Sequence, residues 1–212
     1  DVDEAYAITA KRVDNGEISR LLHHEIAVGE HIEVMEPQGL FFYEPDGQTP
    51  RTLFLFAAGV GITPLYAILK TALTRDTLTK VVLVYSNGSA EKTVFYEELL
   101  AWQARFPDRL HIEWIFSSAK NLLKARLNRP YLLELVNEYQ PTDGQALYYT
   151  CGPIFYMDLC RYTLLGMGIP DADIRKETFH FPEEESDDEE GEPEPVDTNS
   201  YEVTLRFQGE EH

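Results

Sequence analysis

The sequence has few cysteines, few basic residues and no long hydrophobic run. Two cysteines, Cys151 and Cys160, cannot make a disulfide framework, so we expect a chain from a reducing, cytoplasmic compartment. Lysine and arginine number 18 against 37 acidic residues, and the formal net charge of −19 repels phosphate backbones and anionic lipid. No apolar run reaches the roughly 18 residues of a membrane-spanning helix. Nucleic acid and membrane surfaces are therefore poor candidate partners.

What the sequence does contain is enough apolar material for one large domain or two small ones. Of its 212 residues 43% are hydrophobic and 12% aromatic. The acidic residues are concentrated, since residues 183–197 hold ten of them and no basic residue; without this run the net charge is −9. Such a run repels itself and buries nothing, so we predict a solvated linker, with a binding tail as the less favoured alternative.

The remaining sequence divides at residues 37–50, which are rich in proline and glycine. Before this boundary we predict strands at 5–13 and 30–36 with a short helix at 17–25 between them. After it, apolar runs alternate with helical spacing. The predicted strands are 53–57, 81–85, 110–116, 146–150 and 174–179, and the predicted helices are 63–73, 91–105, 130–139 and 153–167. This alternation is typical of an α/β fold with a five-stranded parallel sheet and helices on both faces. Beyond the acidic run, residues 201–207 read as a strand followed by a turn at Gln208-Gly209.

A glycine-rich turn joins the first strand of this sheet to the first helix. It reads Gly59-Val60-Gly61-Ile62-Thr63-Pro64. Glycine permits a positive φ and a close approach of backbone, and the amides of a helix start attract a diphosphate. We expect Thr63 to cap the helix and Pro64 to occupy its first position. Because Pro64 breaks the G-x-G-x-x-G pattern, a plain tight turn is an equally open interpretation.

Two further junctions lie at the predicted carboxyl edge of the sheet, where ligands of open α/β sheets bind. Thr150-Cys151-Gly152-Pro153 joins the fourth strand to a helix, and Glu177-Thr178-Phe179 ends the fifth. Cys151 by itself is most simply a small buried residue, and no metal-ligand spacing accompanies it. Phe179 could stack on a planar ligand or lie in the core.

Four motifs in one order, G-x-G-I-T-P at 59–64, Y-S-N at 85–87, C-G-P at 151–153 and E-T-F at 177–179, resemble the ferredoxin–NADP reductase superfamily. Within it, the resemblance is to reductase subunits of the phenylacetyl-CoA oxygenase (epoxidase) type. It implies four regions and a chain that is a fragment. Residues 1–48 would be the last part of an antiparallel flavin-binding β-barrel, 49–180 the NAD(P)-binding domain, 181–200 the acidic linker and 201–212 the first strand of a truncated [2Fe-2S] ferredoxin domain.

The resemblance also implies site residues. The FAD diphosphate would be held by Gly16, Ile18 and Ser19, although a simple turn at 14–16 explains that glycine equally well. The NAD(P) site would comprise Gly59, Gly61, Ile62, Thr63, Pro64, Ser86, Asn87, Cys151, Gly152 and Pro153. Cys151 would lie beside the nicotinamide, Phe179 would cover the isoalloxazine, and Glu177 would be a polar neighbour of the redox centre; these three would be the catalytic residues, and no metal ligands are expected.

The function that the resemblance implies is an FAD-dependent NAD(P)H oxidoreductase. Hydride would pass from nicotinamide to FAD, and single electrons would then pass to a [2Fe-2S] centre in a ferredoxin domain in cis that feeds an oxygenase component. The alternatives are a non-catalytic nucleotide-binding module and the reductase domain of a flavohaemoglobin-type protein.

Three departures from the family pattern qualify this expectation. The Arg-x-Tyr-Ser motif that holds the flavin is absent, so the fragment would retain FAD weakly or not at all. The four cysteines of the ferredoxin are absent, so no cluster can form in this chain. The loop after the second strand reads Asn87-Gly88-Ser89, without the arginine that would hold a 2′-phosphate. This favours NADH over NADPH, unless Lys92 or Arg126 substitutes.

Overall fold

A computed structural model of the chain describes residues 7–12, 15–27, 29–30, 32, 38–119, 121, 123–179, 206–207 and 210–211. The chain divides into two compact units, residues 1–179 and residues 180–212. The first unit contains the sheet and its helices, and the second contains a short pair of strands.

The first unit is built on a five-stranded parallel sheet, which confirms the predicted fold class. Its strands are β1 (Arg51–Ala58), β2 (Thr79–Asn87), β3 (Leu110–Phe116), β4 (Gln145–Cys151) and β5 (Ile174–Glu177). Its helices are α1 (Glu17–His24), which precedes the sheet, and α2 (Ile62–Arg75), α3 (Tyr96–Arg105), α4 (Arg129–Tyr139) and α5 (Ile154–Gly166), which connect the strands. No helix in the described part of the chain is long and apolar enough to span a membrane.

The three central strands of the sheet, β2, β1 and β4, are buried on both faces, which explains why they are nearly continuous apolar runs; the edge strands β3 and β5 are only partly buried. Alternate residues of β1 point to opposite sides: Leu53 and Leu55 pack with α2 and α3, whereas Phe54 and Phe56 pack with α4 and α5. All four side chains are fully buried. At roughly 1.5–3 kcal/mol for each fully buried large apolar side chain, these two layers supply most of the drive to fold.

The strand order β3-β2-β1-β4-β5 creates one topological switch point. From β1 the chain moves outward through β2 to β3, and it then returns to place β4 and β5 on the other side of β1. The connections that leave β1 and β4 therefore diverge to opposite faces. A crevice opens between them at the carboxyl edge of the sheet, which is where open α/β sheets bind ligands.

The prediction of a strand at residues 5–13 is wrong for the part of this segment that the structure describes. Residues 7–12 contain no strand, and most of them are exposed. An alternating pattern becomes a strand only when a partner completes its hydrogen-bond ladder, and no partner strand is described for this segment. The second predicted strand, at 30–36, lies largely outside the described residues, and neither Glu30 nor Ile32 is in a strand. The helix predicted at 17–25 is present as α1.

Two other boundaries differ from the prediction. The helix predicted from residue 91 begins at Tyr96, because Ala90–Lys92 forms a separate 3₁₀ turn and Phe95 adopts a left-handed backbone with φ of 60°. In the second unit, β6 (Arg206–Phe207) pairs antiparallel with β7 (Glu210–Glu211) on either side of the predicted turn. The rest of the predicted strand at 201–207, and the acidic linker, lie outside the described residues.

Candidate functional site

The connection from β1 to α2 forms one wall of the crevice. It is a single 3₁₀ turn, Gly59–Gly61, and Gly59 has a φ of +56°, a conformation that glycine adopts without strain. An added Cβ at Gly59 would meet nothing within 4 Å, so open space lies beside this residue. The Tyr85 hydroxyl at the end of β2 donates to the Gly59 carbonyl oxygen over 3.0 Å and fixes the turn.

The second wall is the connection from β4 to α5, and it touches the first. An added Cβ at Gly61 would overlap the carbonyl group of Cys151 and would lie 2.8 Å from the Gly152 nitrogen. An added Cβ at Gly152 would lie 2.9 Å from the Cβ of Ala58. The two glycines therefore permit backbone-to-backbone contact between the two connections, and the structure brings the two predicted nucleotide-binding segments together.

Thr63 does not cap α2, contrary to the sequence-based expectation. The helix begins at Ile62, one residue earlier, and its N-cap is Gly61, which has no side chain to cap it. The Thr63 hydroxyl instead donates to the Val60 carbonyl oxygen over 3.1 Å. Pro64 consequently lies at the third helical position rather than the first, and Ile62 is completely buried.

The helix starts on the two sides of the crevice differ from the start of α4. The N-cap of α2 is Gly61 and that of α5 is Pro153, and neither makes a side-chain hydrogen bond to its helix. At α4, in contrast, the Asn128 side chain accepts from the Tyr131 amide over 3.1 Å, as expected from the sequence. The first turn of α5 thus keeps amide donors that a bound anion could use. In α2 the Ile62 amide already donates to the Gly59 and Val60 carbonyl oxygens and Pro64 has no N–H, so this helix start offers fewer donors.

Cys151 lies at the centre of the carboxyl edge. It is opposite Ala57 on one side and Glu177 on the other in the register of the sheet. Its side chain is buried, and burial, with a smaller contribution from Glu177, raises its pKa to about 12. Cys151 is therefore a neutral thiol at physiological pH, and it can pack against a ligand but cannot serve as a thiolate nucleophile.

The predicted strand ran through Phe179, but β5 ends at Glu177, so Phe179 lies two residues beyond the strand. Its side chain is 47% exposed. Phe179 is therefore not a core residue, and its aromatic ring is available for stacking on a ligand. Glu177 is the last residue of β5 and half-buried. Phe179 is thus positioned by the strand that ends beside Cys151.

Ser86 and Asn87 are the last residues of β2, at the same edge of the sheet. The loop that follows is tied to the end of β3, since the Ser117 amide donates to the Asn87 carbonyl oxygen over 3.0 Å and the Ser118 amide to that of Gly88 over 3.1 Å. Gly88 has space for a side chain, because an added Cβ would meet only the Lys92 Cδ at 3.9 Å.

The candidate flavin residues lie apart from this edge in sequence and on a different element. Gly16 is the N-cap of α1, Ile18 is 66% exposed, and the Ser19 hydroxyl donates to the Gly16 carbonyl oxygen over 3.2 Å. No residue of α1 is buried, so this helix adds nothing to the core. No side chain caps this exposed first turn, which leaves its amides available to an anion, and Glu17 adds a negative charge beside them.

Sequence reasoning missed two contributors to the site, Ala58 and the Tyr85 hydroxyl. Ala58 must be small because Gly152 packs on its Cβ. Burial raises the pKa of Tyr85 to about 12, so its hydroxyl stays protonated and serves as a donor to the turn. A tyrosine in an otherwise apolar strand needs a partner for its hydroxyl, and this requirement was the available signal.

The comparison with known proteins agrees with this geometry. Residues 55–161 match the profile of the oxidoreductase NAD-binding domain. The chain is 35% identical over 182 residues to the ferredoxin reductase component of 3-ketosteroid-9-alpha-monooxygenase of Rhodococcus rhodochrous, covering 84% of this chain and 47% of that protein. It is 31% identical over 179 residues to a 1,2-phenylacetyl-CoA epoxidase component of Escherichia coli, covering 83% and 50% respectively.

A solved structure has a similar fold. The FAD/NAD-binding domain of the flavohem-like nitric oxide dioxygenase of Vibrio cholerae superposes with a TM-score of 0.61 at 30% identity, over 77% of this chain and 65% of that one. The chain spans about half the length of the curated relatives it matches.

Proposed function

Because the chain belongs to the oxidoreductase NAD-binding domain family and is related to the reductases of the ferredoxin–NADP reductase superfamily, we propose that it is the nucleotide-binding half of an FAD-dependent NADH reductase. The observation that carries the proposal is the contact between the Gly59–Gly61 turn and the Cys151–Gly152 segment at the switch point of the sheet. This contact leaves bare backbone and two helix starts without side-chain caps facing one crevice.

The residues of the crevice would divide the work of holding the coenzyme. Gly59 and the first turn of α2 would bind the diphosphate, and Ser86 and Asn87 would line the adjacent end of β2. Cys151, Gly152 and Pro153 would form the surface beside the nicotinamide ring. Because the Cys151 thiol stays neutral, its part is to fill space and exclude water, which orients a ring without taking part in proton transfer.

Bound nicotinamide and flavin would supply the redox chemistry, a hydride moving from the first to the second and single electrons leaving thereafter. The chain's own contribution is position. Phe179, which is half-exposed beyond β5, would cover the flavin face until the nicotinamide takes its place, and Glu177 would border the two rings. Gly16, Ile18 and Ser19 would hold the diphosphate of FAD at the start of α1.

The electron acceptor that we propose is a plant-type [2Fe-2S] ferredoxin domain in cis, feeding an oxygenase. Two relatives support this, since one is named as the ferredoxin reductase component of a monooxygenase and the other as part of an epoxidase. The strand pair β6–β7 would belong to the first hairpin of that domain. The two buried, unpaired cysteines of the described part of the chain suit a cytoplasmic protein.

We expect NADH to be preferred over NADPH. The loop Asn87-Gly88-Ser89 offers no cation for a 2′-phosphate. The Ser89 hydroxyl hydrogen-bonds the neighbouring Glu91 carboxyl and lowers its pKa, which keeps a negative charge beside the loop. The side chain of Lys92 lies against the same loop, with its Cδ 3.9 Å from the position of an added Gly88 Cβ, and it is the cation that would oppose this preference.

Calorimetric titration of the 212-residue chain with NADH and with NADPH tests the proposal. We expect NADH to bind at least about tenfold more tightly. The variant Gly88→Arg should gain NADPH affinity by about tenfold or more, because a charged hydrogen bond to phosphate is worth roughly 1.5–3 kcal/mol. Failure of the wild-type chain to bind either coenzyme would exclude the proposed function, and equal affinities would exclude the preference.

A second candidate is the reductase domain of a flavohaemoglobin-type protein. It is favoured by the similarity to the Vibrio cholerae flavohemoprotein, which is 32% identical over 179 residues and 82% of this chain. The two candidates share the coenzyme site and differ in the acceptor. Electron paramagnetic resonance of the whole protein in both redox states separates them, because a [2Fe-2S] signal in the reduced protein supports the first and a ferric haem signal in the oxidised protein supports the second.

A further inference from the structure

A short segment before the sheet, residues 40–44, crosses the open face of β4 and β5 and is held there by specific hydrogen bonds. We call this segment the strap. It joins the amino-terminal region to β1, and its residues differ sharply in exposure: Leu40 is 82% exposed and Phe42 48%, whereas Tyr43 is only 5% exposed. A connecting segment that buries one polar aromatic residue is fixed at that point.

The first anchor of the strap is the Tyr43 hydroxyl. It donates to Asp76 Oδ2 over 2.8 Å and lies 2.8 Å from the Thr79 hydroxyl, which itself bonds to Asp76 Oδ2. Asp76 and Thr79 are buried, and they lie after α2 and at the start of β2. A buried carboxylate with these donors holds its partners strongly, since hydrogen bonds to charged groups are shorter and stronger than neutral ones.

The second anchor is the backbone carbonyl of Phe42. It accepts from the Arg175 guanidinium over 2.9 Å and from the Tyr149 hydroxyl over 3.2 Å. Arg175 also donates to the Tyr149 hydroxyl and lies over its ring, and the Phe41 ring packs edge-on against that same ring at 5.5 Å. Tyr149 is on β4 and Arg175 on β5, so this anchor ties the strap to the half of the sheet beside Cys151.

The position of the second anchor relates the strap to the coenzyme crevice. Tyr149 pairs with Arg175 in the sheet register, and Cys151 pairs with Glu177 two residues further along the same strands. Two residues correspond to about 7 Å of strand. Tyr43 of the strap reaches Asp76 at the amino edge, while Leu40 lines the same cavity as Glu177, the last residue of β5 at the carboxyl edge.

A cavity of about 720 Å³ lies where the strap meets the sheet, and its lining includes Phe41 and Tyr43 of the strap and Leu147 and Arg175 of the sheet. Because the strap borders a cavity there, the two anchors hold it to the sheet together with the packing of Phe41 and Tyr43.

We propose that Tyr43 and Arg175 are positioning residues: they clamp the strap so that the region preceding it is presented at the carboxyl edge in one fixed orientation. This proposal rests on the proposed function, in which that preceding region carries the flavin. Under it, the two anchors set the distance and angle between flavin and nicotinamide while touching neither. A misplacement of about 1 Å between reacting groups can slow a reaction on the order of a hundredfold.

The test has two parts and two variants, Tyr43→Phe and Arg175→Met, with Tyr162→Phe as the matched control, since Tyr162 is 64% exposed on α5. In the first part, the 212-residue chain is digested briefly with chymotrypsin, which cleaves after Phe41, Phe42 and residue 43. We expect cleavage within the strap to become at least fivefold faster in both variants and to be unchanged in the control.

In the second part, the rate of flavin reduction by NADH is measured by stopped flow in the flavin-loaded whole protein, together with the dissociation constant of NADH. We expect the rate to fall at least tenfold in both variants while the dissociation constant stays within twofold. A purely structural role would lower the melting temperature and leave the rate unchanged at 25 °C.

The outcomes separate the two proposals. If the wild-type protein does not reduce its flavin with NADH, the proposed function is wrong, whatever the strap does. Suppose instead that the wild-type protein reduces its flavin with NADH. If either variant then matches the wild-type rate, or if cleavage of the strap does not change, the proposed positioning role of Tyr43 and Arg175 is wrong and the proposed function stands.

Discussion

The two edges of the sheet use opposite chemistry. At the amino edge, polar side chains are buried and paired with one another: Asp76 accepts from Tyr43, Thr79 and the Leu78 amide, and the Arg109 guanidinium donates to carbonyl oxygens at the end of α2, including those of Ala72 and Leu73. At the carboxyl edge, glycines and a small thiol leave the backbone bare. The amino edge therefore holds helices and strands together, and the carboxyl edge exposes backbone groups to a ligand.

The amino edge of the sheet contributes to stability, and the carboxyl edge offers groups for binding. A buried carboxylate is tolerated only with several donors, so the amino edge is stable because its hydrogen-bonding groups are satisfied internally. The carboxyl edge has donors at the starts of α2 and α5 that no side chain uses. Substitutions at the amino edge should therefore change stability and leave coenzyme affinity unaltered, whereas substitutions in the crevice of the carboxyl edge should lower coenzyme affinity.

The largest effect is expected from Asp76→Ala. The substitution removes a buried acceptor and leaves the Tyr43 and Thr79 hydroxyls with only each other as partners. We expect the free energy of unfolding to fall by about 3 kcal/mol, within the range for breaking a buried charged network. Urea unfolding followed by tryptophan fluorescence measures it, and NADH affinity measured in the absence of urea should change less than twofold.

Asp143→Ala, at an exposed loop position, is the matched control and should change stability by less than about 0.5 kcal/mol. The pH dependence adds a second criterion. Burial raises the pKa of Asp76, but hydrogen bonds from the Leu78 amide and from Tyr43 and Thr79 outweigh it and hold the pKa below its usual range. Its contribution is therefore full above about pH 4 and lost as the pH falls further, so wild type should lose stability more steeply in acid than Asp76→Ala. Parallel acid titrations of the two proteins would contradict this assignment.

A somewhat smaller effect is expected at the other edge from Gly61→Ala. The new Cβ would overlap the Cys151 carbonyl group and push the two walls of the crevice apart. We expect NADH affinity to fall about 30-fold, equivalent to roughly 2 kcal/mol. Gly166→Ala is the control, since a Cβ there meets only the end of the Arg129 side chain at 3.5 Å. Calorimetry on both variants compares them, and equal affinities would mean that the contact does not shape the site.

A loss of about 1 kcal/mol is expected from Asn128→Ala. The substitution removes the side-chain cap of α4, at the carboxyl edge but away from the crevice. It therefore tests whether the whole carboxyl edge contributes to NADH binding or only the starts of α2 and α5, which have no side-chain cap. We expect a lower melting temperature with unchanged NADH affinity, and a loss of affinity would extend the site to α4.

The smallest effect is expected from thiol reagents. Because burial raises the pKa values of Cys151 and Cys160 to about 12, neither thiol should react with iodoacetamide at pH 7.5 in the folded chain. Mass spectrometry should find no adduct over an hour, while both cysteines react in 8 M urea. Rapid labelling of Cys151 in the folded chain would show a more accessible crevice than the one described.

Elements that carry their own pattern were predictable. The β3 strand at Leu110–Phe116 has its predicted bounds, and the other four strands of the sheet differ from prediction by at most two residues at either end. The central strands β1, β2 and β4 were predictable because their apolar runs require burial on both faces. Prediction failed where a local signal competed with the surrounding fold. Thr63 had the residue type of a cap, but a 3₁₀ turn leads directly into the helix one residue earlier, and Gly61 is the N-cap. Residues 7–12 alternate as a strand does, but no described strand pairs with them.

The order along the chain of the sheet's strands and helices, the two glycine-bearing junctions and the surplus of negative charge can be read from the sequence, since each depends on residue type and short-range spacing. The contacts of Gly61 with Cys151, of Tyr85 with the Gly59 carbonyl and of Tyr43 with Asp76 arise only in the folded chain. These contacts join residues 26 to 90 positions apart, and their existence depends on how strands are ordered in the sheet. That order follows from the packing of both faces at once, which no single segment encodes.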